Sequence, residues 1–265
     1  MSTRIKKRKV AEEYPYTLRQ RVAWTLSNLL ILTGCYIMLY VGGVYSYVEY
    51  QRAAARGDSG LAAPQILVRA PSLPAVPAVV ERHGVALAQH ATMSGTVSHG
   101  ALAAEQALTH VSRVERLILP SIAVDAKVIE VGWEVVEQDG QLASLWQVAE
   151  FAVGQHKGSA NPGEGDNIVL AGHVGGYGQI FRDLFYVLPG DPVIVYSDGH
   201  MFHYTVSERL IVDEEGPHVT EAQRQANAQL IAPTDYEVLT MVTCWPATGP
   251  DRFMQRVIIR ALPDQ

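Results

Sequence analysis

Cysteine is nearly absent: only Cys35 and Cys244 occur in 265 residues, which excludes a disulfide-rich scaffold and any four-cysteine zinc site. Basic charge is also in deficit. With 21 Lys and Arg against 27 Asp and Glu the net charge is -6, so a generally basic nucleic-acid-binding surface is excluded. The glycine-rich runs lack the strand–GxGxxG–helix setting and the P-loop lysine, and nothing points to a nucleotide cofactor. Residues 51–112 contain no Phe, Tyr or Trp, although the chain holds 12 Tyr, 5 Phe and 4 Trp. Between Val22 and Val48 there is no charged residue at all.

That uncharged run is 27 residues long, and about 20 apolar residues suffice for a helix to span a bilayer. It exceeds the apolar core of a cleaved signal peptide, and Tyr and Val occupy its far end where small residues would mark a cleavage site. Trp24, Tyr45, Tyr47 and Tyr50 lie near its two ends, where amphipathic aromatics favour the headgroup zone. Residues 1–21 carry seven basic and two acidic side chains. Basic flanks stay in the cytoplasm, so the reading is a cytoplasmic tail over 1–21, a transmembrane anchor over 22–48 and everything beyond outside the cell. Cys35 falls in the anchor as a small apolar filler.

Residues 49–112 read as an extracellular stalk. The span 51–112 has fifteen alanines, and prolines at 64, 71, 74 and 77 deny long helices there. Without large apolar groups such a segment cannot offset its ordering entropy, so disorder is expected, with a short amphipathic helix near Ala101–Val111 as an option. His83, His90, His99 and His110 are too irregularly spaced for a metal site.

From Arg113 onward, short β-branched runs alternate with turn residues. Expected strands are Arg116–Leu119, Lys127–Val131, Asn167–Ala171, Pro192–Tyr196, Met201–Leu210, Val238–Thr243 and Arg256–Ala261. Asp198-Gly199 is a strong hairpin signal because both positions tolerate positive φ. Short helices are expected at Ile180–Tyr186 and Thr220–Leu230. Many short strands in about 150 residues predict an all-β, closed or nearly closed barrel, which also removes exposed edges.

Cys244 ends the apolar run VLTMVTC and precedes Trp245-Pro246, so its thiol sits where the chain leaves a sheet. Among the histidines of this region, His173 also closes an apolar strand, IVLAGH. His156 and His218 fall in loops, and His200 and His203 at a hairpin. A cysteine–histidine pair performs acyl transfer, the thiolate attacking a carbonyl while imidazolium protonates the leaving amine. A third group must stabilise the oxyanion. Arg256, opening the strand RVIIRA, and Arg252, four residues earlier, both qualify. The run Asp213-Glu214-Glu215 reads as a solvated loop, with weak calcium binding as the lesser alternative.

RLILPSIAVDAKVIEVG, Ser144–Gly154 with the following SANPGEGDNIVLAGH, and LTMVTCWP with RVIIRA resemble the sortases, the cysteine transpeptidases of bacterial cell surfaces. The TCxP form and short C-terminal end look most like classes D, E or F. The resemblance covers nearly all of 113–265 and implies an eight-stranded sortase-type β-barrel with short helices on a single N-terminal transmembrane helix; the disordered stalk read from composition is not part of the matching motifs. The resemblance implies His173, Cys244 and Arg256 as catalytic residues and associates Thr243 with the oxyanion site. It further implies cleavage of an LPxTG-like sorting signal on surface proteins through a thioester. The acyl group then passes to an amine of a peptidoglycan precursor or another protein subunit, with no cofactor or metal. In this pattern Asp213–Asp235 corresponds to the loop lining the substrate groove. Two alternatives stand beside it: another surface cysteine enzyme, such as a peptidase or L,D-transpeptidase, and a non-catalytic binding module. The Ser-His-Gly-Cys type of motif common in L,D-transpeptidases is missing.

Overall fold

Apolar and β-branched residues at alternate positions decide the architecture, because each strand can then bury one face and leave the other to different work. The computed structural model describes residues 16–65, 67–69, 111–138 and 141–264, and the chain divides into two compact units, 1–49 and 50–265. The expected helix near Ala101–Val111, all but its final residue, and the four histidines of the Ala/Pro-rich segment lie outside the described residues, as does most of the basic tail.

The first unit is carried by α1, Leu18–Ala55, whose last turns belong to the second unit. Thr17 and Gln20 form a reciprocal capping box at its start: Gln20 Oε1 accepts from Thr17 N at 2.9 Å and Thr17 Oγ1 from Gln20 N at 3.4 Å, satisfying two orphan groups. Hydroxyls inside the apolar stretch are satisfied within the helix, Thr25 donating to Arg21 O and Thr33 to Leu29 O. Leu30, Met38 and Leu39 are 73%, 77% and 77% exposed, an all-round apolar surface of the kind that a soluble helix buries. Among the described residues it is the one helix long and apolar enough to cross a membrane.

Among its described residues the second unit contains eleven strands: β1 Leu67–Arg69, β2 Val114–Leu119, β3 Val124–Val131, β4 Trp133–Gln138, β5 Gln141–Ala149, β6 Val153–His156, β7 Asn167–Ala171, β8 Pro192–Ser197, β9 His200–Asp213, β10 Val238–Trp245 and β11 Gln255–Pro263. Eight of them close a barrel in the order β10-β11-β9-β8-β2-β3-β6-β7. The pairs β3–β6 and β7–β10 are parallel and the rest antiparallel. Leu117, Leu119, Ile168, Leu170, Val193, Val195, Leu239, Met241, Val257 and Ile259 fill the interior with essentially no exposure. The β8–β9 hairpin turns on Asp198 and Gly199 at φ 49° and 73°, as their residue types predict. Outside the barrel, β1, β5 and β4 form a three-stranded sheet. Helix α2, Glu221–Gln229, begins at Thr220, whose side chain accepts from Gln223 N.

Seven of the eight barrel strands coincide with the expected ones, with ends shifted by a few residues. The eighth, β6, occupies a stretch that reads as loop, and the β4–β5 hairpin has no counterpart among the expected elements. The helix expected over Ile180–Tyr186 is reduced to turns ending in a 3-10 segment, Leu184–Tyr186. Its Phe181 and Leu184 are pulled into the barrel core instead.

The expected stalk also differs from what its first residues do. Ala54 and Ala55 are buried at 2% exposure, Arg56 bridges to Ala126, Gly57 N donates to Asp125 O at 3.2 Å and Lys127 Nζ donates to Leu61 O. Alanine and glycine, which argue for disorder by composition, are here the residues small enough to lie against the barrel wall. A β-carbon on Gly57 would collide with the Arg116–Asp125 ion pair beneath it. Packing therefore begins near Tyr50 rather than at Arg113. A fragment starting at residue 112 is expected to lose about 2 kcal/mol relative to one starting at residue 50, a drop of roughly 4–8 °C in Tm. Calorimetry of the two fragments checks it.

Candidate active site

Residues 239 and 241 of β10 and 257, 259 and 261 of β11 point into the barrel. By alternation Val242 and Cys244 on β10, and Arg256 and Ile258 on β11, face outward. The antiparallel register sets Cys244 directly opposite Arg256. On the other flank of β10 runs β7, parallel to it, so both strands deliver their C-terminal ends to one edge of the barrel. Gly172 N donates to Val242 O at 3.2 Å, which continues the pairing by one residue and brings His173 to the same end as Cys244. His173, Cys244 and Arg256 line one cavity of about 550 Å³ on the outer wall. Val242 and Ile258 contribute to it from the barrel face, and Asn227 and Ile231 from α2 and the segment that follows.

The Arg256 guanidinium is 4% exposed and held on one edge: Nη1 donates to Phe253 O at 2.8 Å and to Gln255 O at 3.0 Å. Its Nη2 is 4.0 Å from Glu215 Oε1. Burial pushes the Cys244 thiol up, Arg256 beside it pulls the other way, and Glu215 and Glu214 add to the rise. Burial lowers His173 to about 4, and among the described residues its Nε2 is buried without a hydrogen-bond partner. At neutral pH the resting pair is therefore thiol and uncharged imidazole. The imidazole nitrogen is left unsatisfied inside the cleft, as expected of a group that must exchange a proton with a bound molecule.

The other candidates drawn from the sequence separate. Arg252 borders the same cavity but is exposed in the β10–β11 loop, its guanidinium carbon 4.4 Å over the Phe253 ring. Only Arg256 has the register position opposite Cys244. Thr243 is 3% exposed and its hydroxyl donates to Gly172 O at 2.8 Å, so its side chain ties β10 to the turn before His173. His200, His203 and His218 are not among the cavity residues.

Two expectations are corrected. The run Asp213-Glu214-Glu215 is not a solvated loop. Glu214 is 6% exposed and its Oε2 accepts from Asn227 Nδ2 at 2.7 Å, while Glu214 N and Glu215 N both donate to Met254 O. His156 is not a loop residue either. It ends β6, is buried, lines the cavity, and stacks on Trp146 at 3.9 Å between ring centroids. A lone histidine after Gly-Gln carries no signal for that stack, since its partner Trp146 belongs to β5, a strand of the separate three-stranded sheet.

Burial lowers His156 to about 3. Between the ordinary histidine value near 6.5 and about 3, the unfolded chain binds a proton that folded His156 refuses, so stability falls as pH drops through that window. His173 adds the same sign of effect down to about 4. His156→Phe, which keeps a flat ring against Trp146, is expected to flatten the fall of Tm below about pH 6.5. A melting series between neutral and acid pH measures it.

A family model described as a sortase domain matches residues 117–264. Solved structures similar to this chain include a Clostridium perfringens sortase D5 transpeptidase at 19% identity, covering 61% of this chain and 86% of that one with a TM-score of 0.42. Sortase C-1 from Actinomyces oris matches at 19% identity over 66% and 85% with a TM-score of 0.43. Sortase E1 from Streptomyces coelicolor, solved with a tripeptide in the active site, matches at 19% over 58% and 89% with a TM-score of 0.42. No curated protein matches the chain.

Proposed function

Because this chain belongs to the sortase family, whose members are cysteine transpeptidases, we propose that Cys244 is its nucleophile, His173 its proton carrier and Arg256 its oxyanion-binding group. The observation that carries this reading is the meeting of three strand ends: Cys244 in register with Arg256, and His173 delivered by the parallel neighbour β7 to the same cavity.

The proposed substrate is an LPxTG-like sorting signal on a surface protein. Proton transfer from Cys244 to His173 gives thiolate and imidazolium. The sulfur attacks the Thr carbonyl, and Arg256 donates to the oxyanion that forms. Collapse of the tetrahedral intermediate breaks the Thr–Gly bond, and the imidazolium gives its proton to the departing Gly amine, leaving a thioester and neutral His173. An acceptor amine then attacks the thioester. His173 takes the amine's proton and returns it to the sulfur as the new amide leaves. The acceptor is an amine of a peptidoglycan precursor or of another protein subunit. Thr243, through Gly172, holds the turn that carries His173. On this reading α1 anchors the protein once in the membrane with its basic end in the cytoplasm and the barrel outside.

The test is intact-mass spectrometry of the full chain in detergent micelles, mixed with an LPxTG-type peptide and an abundant amine. An acyl adduct on Cys244 together with amine-linked product is expected. Hydrolysis alone in abundant amine would favour a peptidase. A Cys244 that forms no adduct and resists alkylation would favour a binding module.

A further inference from the structure

Three glycines in the segment bearing His173, GHVGGYGQ, face phenylalanines. A β-carbon at Gly172 would lie 2.7 Å from Phe181 Cδ2, at Gly178 2.7 Å from Phe151 Cα, and at Gly175 3.4 Å from Phe253 Cζ. The first two partners belong to the fold: Phe181 is a core residue and Phe151 is buried. Phe253 is different. It stands in the β10–β11 loop, half-buried, at φ 70°, a left-handed conformation that a bulky side chain rarely adopts.

That conformation is imposed from several sides. Phe253 N donates to Pro246 O at 3.0 Å, and Phe253 O accepts from Arg256 Nη1 at 2.8 Å. The next residue, Met254, offers its carbonyl to both Glu214 N and Glu215 N at the end of β9. One face of the Phe253 ring carries Arg252, and its tip faces Gly175, where a β-carbon would meet it at ordinary contact distance. A glycine would hold this backbone without strain, but would supply no ring.

We infer that Phe253 is a positioning residue of the transpeptidation site, its left-handed backbone aiming a carbonyl at Arg256 while its ring, in the same cleft, faces Gly175 of the turn that carries His173. This rests on the reading of the site given above. It makes one side chain responsible for the spacing between the guanidinium and the imidazole, two groups delivered by strands that are not neighbours.

The decisive variants are Phe253→Gly and Phe253→Tyr in the full chain, compared with Cys244→Ala. Phe253→Gly is expected to fold, because φ 70° suits glycine. Its kcat/KM on an LPxTG-type peptide with an amine acceptor is expected to fall about 10- to 100-fold, the scale of an ångström-sized misplacement. Phe253→Tyr, which keeps the ring, restores most of that loss. Iodoacetamide alkylation, read on the Cys244 peptide by mass spectrometry, supplies a measure that a merely structural residue would not move. Glycine keeps the carbonyl but frees the backbone that aims it, so Arg256 is less well held, its pull on the thiol weakens and the alkylation midpoint rises in Phe253→Gly.

Wild-type kcat/KM and an unmoved midpoint in Phe253→Gly would overturn the inference. An unfolded Phe253→Gly, or a Phe253→Tyr as impaired as the glycine variant, would overturn it equally, since each outcome describes a residue needed for something other than spacing. Turnover that survives Cys244→Ala would instead sink the underlying reading of the site.

Discussion

Cys244→Ala is expected to lower transpeptidation by about four orders of magnitude or more, because no other cysteine lines the cleft to form the acyl intermediate. The fold should survive the change. Cys244 is half-buried on the outer wall and is not among the residues filling the barrel, so the cost to stability is expected to stay within about 1 kcal/mol. The measurement pairs a melting curve with intact-mass analysis after incubation with peptide and amine: unaltered Tm, no acyl adduct, no product. Turnover in the alanine variant at the wild-type rate would remove the cysteine mechanism altogether.

Arg256→Ala is the second large effect, expected at about 100- to 1,000-fold in kcat/KM if its guanidinium meets the oxyanion. The pH profile distinguishes this from damage to the fold. In the wild type the productive thiolate–imidazolium pair holds the same number of protons as the resting thiol–imidazole pair, so its share is constant across the middle of the profile. On the acid side the rate falls as His173 takes an extra proton near about 4. On the alkaline side it falls only as the thiol ionises, which burial has pushed upward against the pull of Arg256. Removing Arg256 removes that pull, so the alkaline limb moves to higher pH while the acid limb stays. A profile lowered uniformly, with both limbs in place, would show that Arg256 contributes nothing to the charge at sulfur. Glu215 would then stand 4.0 Å from a vacated position, so Arg256→Lys serves as the better-tolerated companion: it keeps the charge but not the fork of donors.

Much of the barrel is legible in the amino-acid sequence. Its strands declare themselves through runs such as NIVLA, PVIVY and RVIIRA, where β-branched residues meet turn residues at both ends. Cys244 and His173 stand out as polar residues closing apolar strands. What escapes is whatever depends on a partner distant in sequence. β6 is only four residues, VGQH, all buried, and a strand buried on both faces shows no alternation. The β4–β5 hairpin is a different case: Asp139-Gly140 lies between its two strands, the same signal as Asp198-Gly199, and the expected strands omit it. Local propensity overstates the helix at 180–186 because its apolar residues are claimed by the barrel, a tertiary demand that propensity does not contain. The residues near Ala54 and Gly57 read as disordered when smallness is equated with lack of packing, yet smallness is the condition for packing closely. Phe253 gives no sign, since a positive φ at a bulky residue is invisible in composition.

The outward placement of Cys244 and Arg256 has a consequence for how such a site can change over generations. On β10 the odd-numbered Leu239 and Met241 serve cohesion of the barrel, and the even-numbered Val242 and Cys244 serve the cleft. On β11 Val257, Ile259 and Ala261 stand against Arg256 and Ile258 in the same parity. Selection for durability and selection for substrate choice therefore act on interleaved positions of the same strands. A saturation survey of β10 and β11 would separate into two combs, one read out in Tm and the other in kcat/KM. Substrate preference can drift along the even teeth while the odd ones keep the barrel closed.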